Sequence, residues 1–366
     1  MDFSFSEDQR ELRTIVRSFL DRHATPAVVR GAAFEGDGFA REPWQRLVGE
    51  MELTGLAIDA ERGGSGATFV EVGIALEELG RTLLPVPYLG TVVAAAALGG
   101  VDGGDAAVAD PAPLLELIAG GEIAAVALDP ANGAPELSGE GDSARLDGTV
   151  AHVADGPHAD FLILRATAGG EPALAAVDLD AEGVTVEPLP TLDQTRRQAT
   201  VQLAGAPAAR IGGGAAAARA RDLLAVAHAV EAVGAAQRCL DITVEYLQER
   251  VQFGRPIGSF QALKHRCADL AATLEAARST AYYATWAVDG APEELAELAP
   301  LARAVCGEAL WHVAAESIQL HGGIGFTWEH DAHLYFKRAK ASELLAGGYR
   351  AQRRLAAERA GILEPA

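Results

Sequence analysis

Leu223, Val226, Val230, Val233, Leu240, Val244, Leu247 and Val251 follow one another at steps of three, four or seven residues. Such steps set apolar side chains along one stripe of an α-helix. A stripe this long needs more covering surface than a small domain can supply. Any fold for this chain must therefore be arranged around one long helix, with the rest of the sequence supplying its neighbours. Helical patterns resume at 259 to 288, 292 to 321 and 330 to 362, so the stretch from 211 to 366 reads as a helical bundle.

Two other textures precede it. Residues 1 to 118 read as an all-α domain. Ser6 and Gln9 have capping-box spacing, and Leu12, Ile15, Val16, Phe19 and Leu20 then form one apolar helix face. "REPWQRLVGEMELTGL" and "TFVEVGIALEELGRTLLP" read as further helices, separated by "DAERGGSGA", which has turn chemistry and no strand pattern. Residues 119 to 210 differ. "IAAVALD", "ADFLILRAT", "PALAAVDLD", "VTVEPLP" and "ATVQLAG" are short runs bounded by Gly, Pro and Asp. That spacing predicts a small antiparallel sheet or barrel. "APAARIGGG" closes the section, and "GGGAAAARAR" reads as a linker entering the long helix. The expected class is α+β: helices, then a small β-barrel, then a helical bundle.

At 366 residues, nearly half of them hydrophobic, the chain has ample material for two or three packed layers. A formal charge of -21 opposes any nucleic-acid partner, since a polyanion is repelled. Cys239, Cys267 and Cys306 lie far apart in helical patterns, without metal-type spacing. They read as reduced core residues of a cytoplasmic protein. "MDFSFSEDQR" lacks the features of a signal peptide. "TVVAAAALGG" is too short to cross a bilayer, so no membrane insertion is expected.

The residues suited to chemistry gather in the last third. "ERVQFGRPIGSFQ" leaves the long helix at Arg250 and passes a Phe-Gly turn. An arginine at a helix end forks onto a phosphate or carboxylate, or lies idle on the surface. "SIQLHGGIGFTWEHD" ends a helical pattern in a Gly-rich loop, which offers backbone amides to an anion or simply terminates the helix. His330 and His333, with Glu329 and Asp331, can be drawn as a metal site, but the spacing is not that of a helical H-x-x-x-H pair. No metal is expected there.

Together these segments resemble the acyl-CoA dehydrogenase family over most of the chain. "FSFSEDQRELRTIVRSFL" looks like its opening helix, and "GGSGATFVEVGIALEELGR" resembles a segment between its first helices. "ERVQFGRPIGSFQALKHRCADL" and "IQLHGGIGFTWEHDAHLYFKRAK" are similar to its two best-marked C-terminal motifs. The resemblance implies a helical domain, a β-barrel and a C-terminal four-helix bundle. It also implies FAD, an acyl-CoA substrate, an electron-transfer flavoprotein as acceptor, and a dimer or dimer of dimers with itself or a homologous subunit. In the family the flavin takes a hydride from the β-carbon while a glutamate removes the α-proton, a weak acid that needs a carboxylate in a dry site.

Carrying the family's roles across divides the chain's inventory. Arg250 matches the pyrophosphate arginine, with Gln252 and Phe253 beside it. Gln261 matches a glutamine near the adenine, and Gln319, Gly322 and Gly323 match the adenosine loop. In family dimers these residues chiefly reach the FAD of the neighbouring subunit. The ring-side segments depart from the pattern. Leu128, in "LDPANGAPEL", stands where the family has a threonine. "HVAD", from His152 through Val153 and Ala154 to Asp155, stands where it has Trp-Ile-Thr-Asn. The commonest site of the catalytic glutamate falls at Ala346, and the alternative site falls at Leu224. Glu343 and Asp222 lie nearby as substitutes. Glu329 matches a position that serves structure. The resemblance thus implies either a cofactor-completing subunit of a heteromeric enzyme, of the kind known from actinobacterial steroid side-chain dehydrogenases, or a self-sufficient dehydrogenase with a displaced base.

Overall fold

The computed structural model describes residues 4–101, 108–345 and 348–364. The chain enters its first helix, α1 (Glu7–His23), through the expected capping box. The Gln9 amide donates to Ser6 Oγ at 3.1 Å, and the Ser6 amide donates to Gln9 Oε1 at 3.0 Å. Short α2 (Pro26–Arg30) follows, then α3 (Arg41–Gly49), α4 (Phe69–Thr82), α5 (Tyr88–Gly99) and α6 (Ala112–Ala119). The alanine-rich run noted for its apolarity is α5, and nearly all of it is buried.

Seven strands come next: β1 (Ala124–Ala127), β2 (Glu136–Ser138), β3 (Arg145–Ala154), β4 (Phe161–Ala168), β5 (Glu171–Asp178), β6 (Val184–Leu189) and β7 (Gln198–Gly213). β4 pairs β5, β5 pairs β7, β7 pairs β3, β3 pairs β2, and β2 returns to β4, so the sheet closes on itself. Leu146, Val150, Leu162, Leu164, Ala175, Val177 and Val201 fill its interior. Two features differ from the expectation of a purely antiparallel sheet. β1 and β2 each run parallel to β4. β7 also continues through "APAARIGG", which the sequence reads only as the close of the section, because β3 and β5 supply its ladder partners. Of the expected linker "GGGAAAARAR", the first two glycines end β7 and the rest is already the next helix. Strand identity there comes from pairing and not from side-chain propensity.

The helical part contains α7 (Gly214–Glu249), a hairpin of β8 (Val251–Gln252) and β9 (Arg255–Pro256), then α8 (Gln261–Gly290), α9 (Leu295–His321), α10 (Ala332–Leu344) and α11 (Gly348–Arg359). α7 is buried all round from Val226 to Ala236, so it is a core helix and not one with a single buried seam. Val251 leaves the stripe: it begins β8 and is exposed. α7 is long and apolar enough to cross a membrane by length and composition, but 78% of that apolar window is buried inside the protein.

Contacts divide the chain into two compact units. One holds Arg30–Val72 and Pro85–Leu224, including the closed sheet. The other holds the segment ending at Val29, Gly73–Leu84, and the chain from Ala225 onward. In the second unit α8, α10 and α11 pack on α9. α4 and α7 cross with backbones nearly touching. A Cβ on Gly234 would lie 1.8 Å from the Glu77 carbonyl oxygen, and one on Gly80 would lie 2.2 Å from that of Glu231. A charge network centred on two buried carboxylates ties α4 to α1 and α8. Glu77 accepts from Arg13 at 2.7 Å, from Tyr282 at 2.5 Å and from Arg278, while Glu78 pairs with Arg17 at 2.6 Å. Arg338 meets Glu231 at 3.1 Å in the interior. Cys239 and Cys306 are buried, and burial pushes their thiols up, Cys306 to about 12. Cys267 is half-buried.

Candidate functional site

Within the helical unit, α7 ends where α9 ends. Thr243 Oγ1 on α7 donates to Ser317 Oγ on α9 at 2.8 Å, and the Tyr246 ring packs 4.7 Å from that of His321. α8 starts at the same end, because only the short hairpin separates it from α7 and because Arg266 pairs with Glu316 of α9. The fold therefore brings Arg250, Gln252, Phe253, Gln261, Gln319, Gly322 and Gly323 to one end of the bundle. All seven are exposed.

Local chemistry explains their presentation. Phe253 and Gly254 form a two-residue turn with φ of +54° and +75°, the positive pair that twists a tight hairpin correctly. Glycine relieves one of those positions, but Phe253 holds the strained conformation and is 90% exposed. α9 stops at Gly322, whose φ of +63° reverses the chain. A Cβ built on Gly322 or Gly323 would meet nothing within 4 Å, so both glycine faces open outward. The Arg250 guanidinium has no partner among the described residues, whereas Arg255 lies over the Phe260 ring at 4.1 Å. Residues 250 to 268 carry Arg250, Arg255, Lys264 and Arg266 and no carboxylate, within a chain of charge -21. Glu249 and Asp269 flank this run and Glu316 pairs with Arg266, so Arg250, Arg255 and Lys264 are the cations it offers an anion.

The segments expected on the ring side lie in the unit that contains the closed sheet. Leu128 follows β1 and is fully buried. The next residue, Asp129, accepts from the Ala131 amide at 2.9 Å and pairs with Arg221 at 3.3 Å. Asn132 Nδ2 donates to the Ala151 carbonyl at 2.9 Å. His152 and Asp155 both have positive φ, +55° and +57°. The His152 ring meets Gln198 Oε1 at 3.2 Å, Val153 is buried in the sheet interior, and the Asp155 amide donates to the Arg197 carbonyl at 2.7 Å. These polar groups are committed to neighbours within their own unit.

The candidate bases lie on different elements. Asp222 is buried and Leu224 half-buried on the first part of α7. Glu343 is half-buried on α10 and accepts from Lys340 Nζ at 2.9 Å. Ala346 lies outside the described residues. Glu329 is exposed. His330 and His333 face different neighbours: the His330 ring packs 4.1 Å from His321, and His333 meets Trp328 edge-on at 4.8 Å. His321 itself is not visible as a site residue in the sequence beyond its place directly before Gly322.

Comparison with known proteins gives this geometry its context. Residues 6–101 match the acyl-CoA dehydrogenase N-terminal domain, and residues 202–361 match the C-terminal domain. Acyl-CoA dehydrogenase IpdE2 of Mycobacterium tuberculosis is 39% identical over 96% of this chain and 97% of its own length. The ChsE4-ChsE5 complex from Mycobacterium tuberculosis is similar in structure, with a TM-score of 0.89 at 31% identity, covering 100% of both chains. A Tcur3481-Tcur3483 steroid ACAD variant has a TM-score of 0.88 at 33% identity, covering 97% of this chain and 99% of that one. In its helices, its closed sheet and its two terminal sequence motifs, the chain belongs to the acyl-CoA dehydrogenase family of oxidoreductases.

Proposed function

We propose that this chain is the cofactor-completing subunit of an FAD-dependent acyl-CoA dehydrogenase that desaturates an acyl-CoA thioester between its α and β carbons. Its partner is a homologous chain that carries the catalytic base. One observation supports this reading above the others. The residues matching the dinucleotide's ADP end all stand exposed, while Leu128, matching the ring-side threonine, is an aliphatic side chain sealed in the interior.

The two halves of FAD therefore fare differently against these residues. At the bundle end, Arg250 would fork onto the pyrophosphate, and the open faces of Gly322 and Gly323 admit close approach to backbone amides. Gln261 and Gln319 would serve the adenosine. On the ring side, Leu128 has no hydroxyl to donate, and the Asp155 amide is already used. Neither Leu224 nor Ala346 accepts a proton. No catalytic step is assigned to this chain's own side chains.

Two similar structures bear the names of two chains each, and one is named a steroid ACAD. This favours a bulky, steroid-derived acyl group and a heteromeric assembly, with an electron-transfer flavoprotein as acceptor. The test is to purify the chain alone and with a homologous partner, count FAD per chain, and assay desaturation of a steroid side-chain CoA ester. Activity only in the mixture, with one FAD per pair of chains, is expected. Full FAD occupancy and turnover by the isolated chain would replace this reading with a self-sufficient dehydrogenase using Glu343 or Asp222.

A further inference from the structure

His321 closes α9 and immediately precedes the single-turn helix Gly322–Phe326. Its side chain is 2% exposed. Nδ1 lies 2.6 Å from the Ser317 carbonyl oxygen. A carbonyl only accepts, so Nδ1 carries the proton and Nε2 is left with a bare lone pair. That Nε2 is buried without a hydrogen-bond partner among the described residues. At the other end of the same loop, His330 Nδ1 accepts from the Ala332 amide at 3.1 Å, which places the proton of its neutral ring on Nε2. The two imidazoles pack 4.1 Å apart, tilted by 46°. One ring pair thus fastens both ends of the loop from 322 to 329. Its later part is held to α10 by Trp328, which takes the edge of His333 and the Lys337 ammonium at 4.2 Å.

We propose that His321 and His330 form an imidazole clasp that sets the geometry of the Gly322–Phe326 turn, closed while both rings are neutral and loosened by a proton. Burial disfavours a charged His321, while the Ser317 and Ile242 carbonyls favour it. The side chains packed on its ring are Tyr246 from α7 and His330 from the turn before α10, and no carboxylate or ammonium enters its balance. A proton on His321 puts a charge on a ring that is 2% exposed, and water relieves that charge only if the ring leaves its place between Tyr246 and His330. The consequence for a ligand rests on the dinucleotide reading given above: a loosened turn misplaces the Gly322 and Gly323 amides and weakens the grip on ADP.

The full chain, labelled with nitrogen-15, supplies the test. The Gly322 and Gly323 amide resonances should move as pH falls from about 8 to about 5.5. His321→Phe keeps a ring in the clasp but removes the titrating nitrogen, so that movement should vanish. His330→Leu, at a half-buried position, should displace both resonances already at about pH 8. Calorimetry with ADP over the same range should show affinity falling several-fold more for the unmodified chain than for His321→Phe, in which only the titration of ADP's own terminal phosphate, near about pH 6, remains. Glycine resonances that stay still, or that are unaffected by His330→Leu, would overturn the clasp. Resonances that behave as expected in a chain that binds no ADP would uphold the clasp and refute the dinucleotide reading.

Discussion

The exposed end of the helical bundle and the segment after β1 differ in how they satisfy themselves. At the bundle end, Arg250 lacks a partner among the described residues, Phe253 stands in solvent in a strained conformation, and two glycines open outward. After β1, Leu128 is sealed, Asp129 is paired with Arg221, and Asn132 is bonded to the Ala151 carbonyl. A surface that keeps strain, charge and apolar exposure unrelieved is shaped for contact with something else. A segment whose polar groups are all engaged at home has little left to offer. On the function proposed above, the chain would keep the groups that another chain's cofactor needs and fill the seat it does not use.

The largest effect should come from neither region, and it calibrates both. Glu77→Ala removes the buried carboxylate shared by Arg13 and Arg278, which should cost about 3 kcal/mol, the low end for a broken buried pair, because Arg13 keeps Glu78 and Arg278 keeps Glu275. Urea denaturation followed by circular dichroism measures it. Arg250→Ala sharpens the contrast, because its loss should be of ligand and not of fold. FAD retention in the mixed complex should weaken by about 1.5–3 kcal/mol, the worth of a hydrogen bond to a charged group. The stability of the chain itself should stay within about 0.5 kcal/mol of the original. Unchanged retention would remove Arg250 from the site. Leu128→Thr tries to break the comparison by returning a hydroxyl to the ring-side position. It should cost about 1–3 kcal/mol for burying an unpaired polar group, and it should not make the isolated chain bind flavin. Strong flavin binding by that variant would mean that the seat is intact apart from one oxygen.

Much of this contrast is written in local sequence. The capping box at Ser6, the hairpin turn at Phe253-Gly254 and the helix stop at Gly322 depend on neighbouring residues, and the sequence reading locates each of them. Strand β3 escapes that reading, because Asp147 and Gly148 interrupt its alternation and two register shifts divide its pairing with β7. The Ala- and Gly-rich half of β7 is equally silent, since only distant partners make it a strand. The all-round burial of α7 is hidden for the same reason: its polar-looking Glu231 finds Arg338 more than a hundred residues away. His321 is legible only as a residue before two glycines. Its tautomer and its stacking partner depend on the end of α9 meeting the start of α10.

The smallest expected effect is on stability with pH. Burial holds both His321 and His158 below the ordinary histidine range. The unfolded chain therefore binds more protons than the folded one between its usual midpoint near about 6.5 and the lower folded values. Stability contributed by these residues is fully present above that midpoint and is lost as pH falls through the folded pKa values. Denaturation midpoints measured in steps from about pH 7.5 to about pH 5 should decline, and less steeply in His321→Phe. A midpoint that rises on acidification would have the wrong sign.

The most direct test divides the cofactor as the two regions divide it. Calorimetric titration of the isolated chain with ADP and, separately, with riboflavin 5′-phosphate asks which half is gripped. Binding of ADP without binding of the flavin half is expected. Tight binding of riboflavin 5′-phosphate, with the shifted absorbance of an enclosed ring, would contradict the account.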